Sequence, residues 1–274
     1  MTYELNKIYC ADCYEAIKQI PDKSVDLIYT DIPYDVEDNS GGGCFGEKKR
    51  DYHGEYERIC ENTNSTQKAK DAMKNLCNIK DMAFGIDYPI LNEFCRVCNK
   101  IYVYIWCSKK QILPLMQYFV GEKGCRFEIL TWHKTNPIPT CNNKYLSDTE
   151  YCLMFREDGT YIGGNMQSKG KYFESISESE GSGFWLSPTN TTDKKKFAHP
   201  TIKPLEFVQN HLLNSTREND IVLDPFCGSG TSCLAAKNLG RQYIGFEISS
   251  KWAKIAQDRL NNIDAHGQIS LFGI

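Results

Sequence analysis

Two short segments of this chain carry side chains suited to chemistry. Asp31-Ile32-Pro33-Tyr34 sets a carboxylate, backbone carbonyls and an aromatic ring within four residues. Carboxylate and carbonyl oxygens accept hydrogen bonds and a phenol ring stacks on a flat heterocycle, so this tetrapeptide suits a planar base with an exocyclic amino group. Asp224-Pro225-Phe226-Cys227-Gly228-Ser229-Gly230-Thr231 comes far later in the chain. Its glycines allow a ligand to approach the backbone closely, which suits an adenosyl group.

Both segments need strand ends to stand on. Val25-Asp26-Leu27-Ile28-Tyr29-Thr30 reads as a buried strand running into Asp31, and Asp220-Ile221-Val222-Leu223 as another ending at Asp224. After the second come a glycine turn, a helix through Ala235-Ala236-Lys237, and the strand Gln242-Tyr243-Ile244-Gly245-Phe246, which ends at Glu247. This is the layout of a βαβ nucleoside site, in which the closing acid accepts hydrogen bonds from ribose hydroxyls. No lysine follows Gly228 or Gly230, against a Walker A loop, and G-x-G-x-x-G is incomplete, against a dinucleotide site.

The remaining pattern supplies a sheet. Ile8-Tyr9-Cys10 and Ile101 to Trp106 read as strands. Tyr14 to Ile20, Tyr88 to Cys98 and Leu205 to Leu213 read as helices. Phe127 to Trp132 and Tyr151 to Phe155 read as an antiparallel pair at one side of the sheet, and a closing helix places Trp252, Ile255, Ala256 and Leu260 on one face. Strands alternating with helices predict an α/β fold, a mostly parallel sheet with helices on both faces.

At 274 residues and 41% hydrophobic, the chain fits one large domain with length for inserted loops. Residues 36 to about 80 contain Gly41-Gly42-Gly43 and Lys48-Lys49-Arg50 and read as a mobile insertion; about 157 to 198 shows no sustained periodicity. A net charge of -3 excludes a basic coat for nucleic acid. DNA contacts would need local patches such as Lys48-Lys49-Arg50 or Lys194-Lys195-Lys196, which equally suit solvated charge runs. The 13 cysteines are scattered, favouring free thiols in a reducing cytoplasm. Cys10/Cys13 and Cys95/Cys98 have zinc-ligand spacing but also suit core positions, and no metal is assigned. The sequence has no signal-peptide pattern and no apolar stretch long enough for a membrane span, so neither secretion nor a membrane partner is expected.

Val222 to Thr231 closely resembles the S-adenosylmethionine (AdoMet) binding motif of DNA amino-methyltransferases. The resemblance implies AdoMet as cofactor, lined by Asp224, Phe226, Cys227, Gly228, Ser229 and Gly230. Ala198-His199-Pro200-Thr201-Ile202-Lys203-Pro204 resembles the segment contacting the methionine end, implying cofactor roles for His199 and Lys203. Asp12 matches the acidic position that binds the adenine amino group of the cofactor, and Glu247 the ribose acid. Asp31-Ile32-Pro33-Tyr34 resembles the catalytic tetrapeptide (Asp/Asn/Ser)-Pro-Pro-(Tyr/Phe/Trp), departing from it at Ile32.

By this resemblance Asp31 and the Ile32 carbonyl accept the two amino protons of the target, and Tyr34 stacks on the flipped base. Trp132 to Pro137 resembles the segment lining the base, and about 157 to 198 sits where the family recognises its DNA site. The tetrapeptide precedes the cofactor motif, an order that resembles the circularly permuted β group. Asp at position 31 favours adenine over cytosine. Cytosine-N4 methylation and DNA binding with weak or no turnover are the alternatives. Double-stranded DNA is the implied partner, with a cognate restriction endonuclease possible and either a monomer or a homodimer compatible with the sequence.

Overall fold

The computed structural model describes residues 3–35, 85–137, 148–163, 184–188 and 202–261, with positions 57–58, 60–61, 66–67, 70 and 197. Its elements run β1 (Lys7–Cys10), α1 (Cys13–Ala16, extended by a tight turn over Ile17–Gln19), β2 (Leu27–Asp31), α2 (Ile90–Val97), β3 (Tyr102–Cys107) and α3 (Lys109–Met116, continuing in wide turns over Gln117–Glu122). Then follow β4 (Arg126–Lys134), β5 (Thr149–Arg156), β6 (Phe184–Ser187), α4 (Leu205–Ser215), β7 (Ile221–Asp224), α5 (Thr231–Asn238), β8 (Gln242–Glu247) and α6 (Ser250–Leu260).

The strands form one sheet in the order β1-β8-β7-β2-β3-β5-β4-β6. Neighbours from β1 to β3 are parallel, and β5 runs antiparallel between β3 and β4. The expected hairpin is therefore present. The irregular stretch after residue 157 adds a strand that sequence periodicity did not reveal, β6, parallel to β4.

Strand alternation divides the core into two layers. Val103, Ile105 and Cys107 join Ile28, Leu91, Phe94 and Val97 on one face. Tyr102, Tyr104 and Trp106 join Leu27, Tyr29, Phe207 and Leu212 on the other. All six residues of β3 are buried, as a strand covered by helices on both faces must be. The helices supply matching stripes: α2 buries Ile90, Leu91, Phe94 and Val97. On α4, Phe207, Val208, His211 and Leu212 face inward.

From β7 the chain moves outward through α5 to β8, whereas from β2 it reaches β3 on the opposite side. The winding therefore reverses between β2 and β7. Open α/β sheets hold ligands at such a switch point, beyond the carboxyl ends of the strands. The next strand outward from β8 is β1, supplied by the other end of the sequence, with α6 packed on both. That is a Rossmann-like sheet with circularly permuted connections.

A candidate active site at the switch point

Asp224 closes β7 and Asp31 closes β2, on adjacent strands. A cavity of about 500 Å³ opens beyond them, a volume suited to a small-molecule ligand. Asp12, Asp31, Ile32, Pro33, Tyr34, Lys203, Asp224, Phe226, Cys227, Gly228, Ser229 and Glu247 all line it. Of the other two positions singled out by sequence, Gly230 is not among the lining residues, and His199 lies outside the described residues. The basic clusters around residues 48 and 194 and most of the segments 36–80 and 157–198 also lie outside them.

On the glycine-turn side, polar groups are largely tied to one another. Asp224 accepts from Thr30 Oγ1 at 2.7 Å, from the Phe226 amide at 3.1 Å, and from Ser232 Oγ. Burial pushes its pKa up to about 7, with those three donors opposing the shift. Glu247 accepts from the Gly228 amide at 3.1 Å and the Ser249 amide at 2.8 Å; burial raises its pKa, and these amides oppose it.

Gly230 begins α5 at φ 72°, and a Cβ there would sit 3.0 Å from the Ala256 Cβ and 3.2 Å from Ile8 Cδ1. Glycine is thus required both for the backbone angle and for the approach of α6 and β1. Arg259, 2% exposed, holds the turn from beneath by donating to the Ser229 carbonyl and Thr231 Oγ1, each at 2.9 Å. Asp12 caps α1 by accepting from the Tyr14 amide at 2.9 Å, which fixes its carboxylate at the cavity wall.

On the tetrapeptide side the site is built from charge. Asp31 Oδ2 accepts from Lys203 Nζ at 2.7 Å, whereas Oδ1 is buried with no hydrogen-bond partner among the described residues. Lys203 Nζ also pairs with Glu150 Oε2 at 2.8 Å, and Lys134 pairs with Glu150 Oε1 at 2.5 Å. Burial raises the pKa of Asp31; Lys203 opposes that rise and Glu150 adds to it. For Glu150 burial works upward too, but Lys203 and Lys134 prevail and draw its pKa down to about 2. Tyr34 is kept protonated by burial and by the nearby Asp31 and Glu150.

Ile32 is 1% exposed, and its amide donates to the Trp106 carbonyl at 3.2 Å. The N–H that proline would lack is therefore spent on β3. Gln111 Nε2 donates to the Pro33 carbonyl at 2.9 Å, while its Oε1 accepts from the Ser108 amide at the start of α3. Sequence reading assigned Lys203 to the cofactor, but its Nζ lies with Asp31, Glu150 and Tyr34. It missed Glu150 on β5, Gln111 on α3 and Arg259 on α6, which belong to none of the sequence patterns and reach the site only when strands pair and helices pack. Lys134, expected at the base side, reaches the site through Glu150 and is not itself among the cavity-lining residues.

Comparison with known proteins gives the family and the fold. The DNA methylase family model N6_N4_Mtase matches residues 25–258. The type II methyltransferase M2.LlaDCHI of Lactococcus lactis subsp. cremoris is 29% identical over 272 residues, 94% of this chain and 90% of that protein. The crystal structure of an M1.HpyAVI–SAM complex superimposes with a TM-score of 0.58 at 26% identity, covering 92% of this chain and 98% of that one. The PvuII DNA methyltransferase, described as cytosine-N4-specific, shares the fold with a TM-score of 0.59 at 15% identity, covering 94% and 87%.

Proposed function

Given that this chain belongs to the N6/N4 DNA methylase family, whose members are AdoMet-dependent DNA methyltransferases, we propose that it methylates the exocyclic amino group of adenine at a specific DNA site. The observation that carries the reading is Asp31 Oδ1, a buried acceptor without a partner among the described residues, at a strand end that shares its cavity with the glycine turn. A buried acceptor left unpaired is costly, and an amino N–H of the target would satisfy it.

The residues fit the cofactor. Asp12 would accept from its adenine amino group, Phe226 would pack on the adenosyl group, and Glu247 would accept from the ribose. Asp224, Cys227, Gly228, Ser229 and Gly230 would shape the turn around it. AdoMet supplies, when bound, a methyl group already activated by its sulfonium. The adenine amino lone pair is delocalised into the ring. Asp31 and the Ile32 carbonyl accept the two amino protons, which favours tetrahedral nitrogen and frees the lone pair for attack. The Pro33 carbonyl is already engaged by Gln111, which favours Ile32 in this role. Tyr34 stacks on the base after it leaves the duplex. No covalent enzyme intermediate is required.

The whole chain acts as one methyltransferase domain, with 36–80 as an insertion and about 157–198 as the target recognition region. M2.LlaDCHI is named a type II methyltransferase, which supports pairing with a restriction endonuclease of the same specificity. Sequencing with modified-base detection on DNA from cells expressing the protein tests the reading. N6-methyladenine at a recurring site is expected; N4-methylcytosine assigns the other base, and unmodified DNA contradicts turnover.

A further inference from the structure

Lys203 has no donor to spare for the cofactor. An ammonium carries three N–H groups. Those of Lys203 face Asp31 Oδ2 at 2.7 Å, Glu150 Oε2 at 2.8 Å and Tyr34 Oη at 3.3 Å. The Trp106 ring forms a floor 4.8 Å from Nζ. The indole is itself fixed, since Trp106 Nε1 donates to Tyr29 Oη at 3.0 Å. Asp31, Lys203, Glu150 and Lys134 thus form a row of alternating charge across β2, the entry to α4, β5 and β4.

We propose that Lys203 is a positioning residue for methyl transfer. Braced by Glu150 and Lys134, it holds the Asp31 carboxylate ionised by one oxygen and leaves the other for the target amino group. The inference rests on the reading of Asp31 as the amino-proton acceptor. A protonated Asp31 would be a weak acceptor, so the enzyme needs a cation beside it. Among the described residues Lys203 is the one cation within ion-pair distance. Of the other groups facing Asp31, the Tyr34 hydroxyl is neutral and favours the charge by hydrogen bonding, and the rest oppose that charge or are neutral. These neighbours are Glu150 and Cys152 on β5, Cys107 on β3, Asp224 on β7, Tyr29 on its own strand and Tyr34 beyond it. Lys203 is buried as well, yet Asp31 and Glu150 together outweigh that burial and keep its pKa above the ordinary value.

The test compares pH profiles of single-turnover methyl transfer to whole-genome-amplified bacterial DNA, which is unmethylated and contains every short site. Removing the cation in Lys203→Met lifts the Asp31 pKa, so the acid limb moves up by about one pH unit or more. Removing a negative neighbour in Glu150→Gln lowers the Asp31 pKa, so the limb moves down. Lys203→Arg retains the wild-type limb. AdoMet affinity by calorimetry stays within about twofold in all three, since each retains the glycine turn. Limbs that move in the same direction, or not at all, overturn the proposal, as does a large loss of AdoMet affinity in Lys203→Met. If Lys203→Met does not fold, the direction seen in Glu150→Gln decides. Carbon-13 NMR titration of the Asp31 carboxyl reads the same displacements without turnover. If the variants show these displacements by NMR but the wild-type protein transfers no methyl, the proposed function alone is contradicted.

Discussion

Asp31 and Asp224 end neighbouring parallel strands, yet the half-buried carboxylate of the first and the buried one of the second are used in opposite ways. Asp224 spends both oxygens on Thr30, Ser232 and the Phe226 amide, tying β2 to β7 and shaping the glycine turn. Asp31 spends one oxygen on Lys203 and leaves the other open. The cofactor half is preformed by backbone geometry: left-handed glycines, a capped helix and the clamp from Arg259. The chemical half is poised by ions whose balance depends on Lys203. A site that must only bind can close its hydrogen bonds in advance, whereas one that moves charge must keep an acceptor in reserve.

The largest expected effect breaks this contrast from the chemical side. Asp31→Ala lowers methyl transfer by about 10³-fold or more while leaving AdoMet affinity within about twofold, as measured by single turnover and calorimetry. Retained transfer would remove Asp31 from the chemistry. Asp224→Ala is expected to act the other way. It strands two buried hydroxyls and an amide, costs about 2–4 kcal/mol in urea denaturation, and weakens AdoMet binding more than the rate at saturation. Equal losses in both variants would erase the division of labour.

A third effect is pH-dependent and lies behind the chemical half. His211 is buried, its Nδ1 3.0 Å from Tyr29 Oη, and burial depresses its pKa from 6.5 to about 3. The unfolded chain takes up a proton that the folded one refuses. The stabilising contribution is therefore complete above pH 6.5 and is lost as pH falls towards 3, at about 1.4 kcal/mol per pH unit. His211→Leu should flatten that part of the stability profile in denaturation followed from pH 7 to 4.5; an unchanged slope would mean that His211 protonates within the fold. The smallest effect is expected at Ile32. Ile32→Pro loses one amide bond to Trp106, worth about 1 kcal/mol, and keeps the carbonyl, so the rate should stay within about threefold. A collapse in rate would show that the Ile32 amide matters beyond strand pairing.

The cofactor half was the more legible in sequence because it is continuous. Strand, turn, helix and closing acid follow one another from Ile221 to Glu247, and local periodicity places each. The chemical half assembles from four separated segments. Asp31 to Tyr34, the segment with Lys134 and the segment with Lys203 each resemble a family pattern, while Glu150 reads like any charge at the start of a strand. Its meaning comes from β5 lying next to β3, a pairing set by distant contacts. The family pattern assigns Lys203 to the cofactor, and its ion pairs with Asp31 and Glu150 are not readable from sequence at the entry to α4. α3 escaped notice because Pro114 interrupts it. β6 is four residues long, too short for a period-two signal to stand out.

The account turns on methyl transfer to an adenine amino group. Purified protein, methyl-tritiated AdoMet and whole-genome-amplified DNA, followed by digestion to nucleosides and chromatography, tests it most directly. Label is predicted to co-migrate with N6-methyl-2′-deoxyadenosine. Label in N4-methyl-2′-deoxycytidine, or bound AdoMet with no label in the DNA, would contradict it.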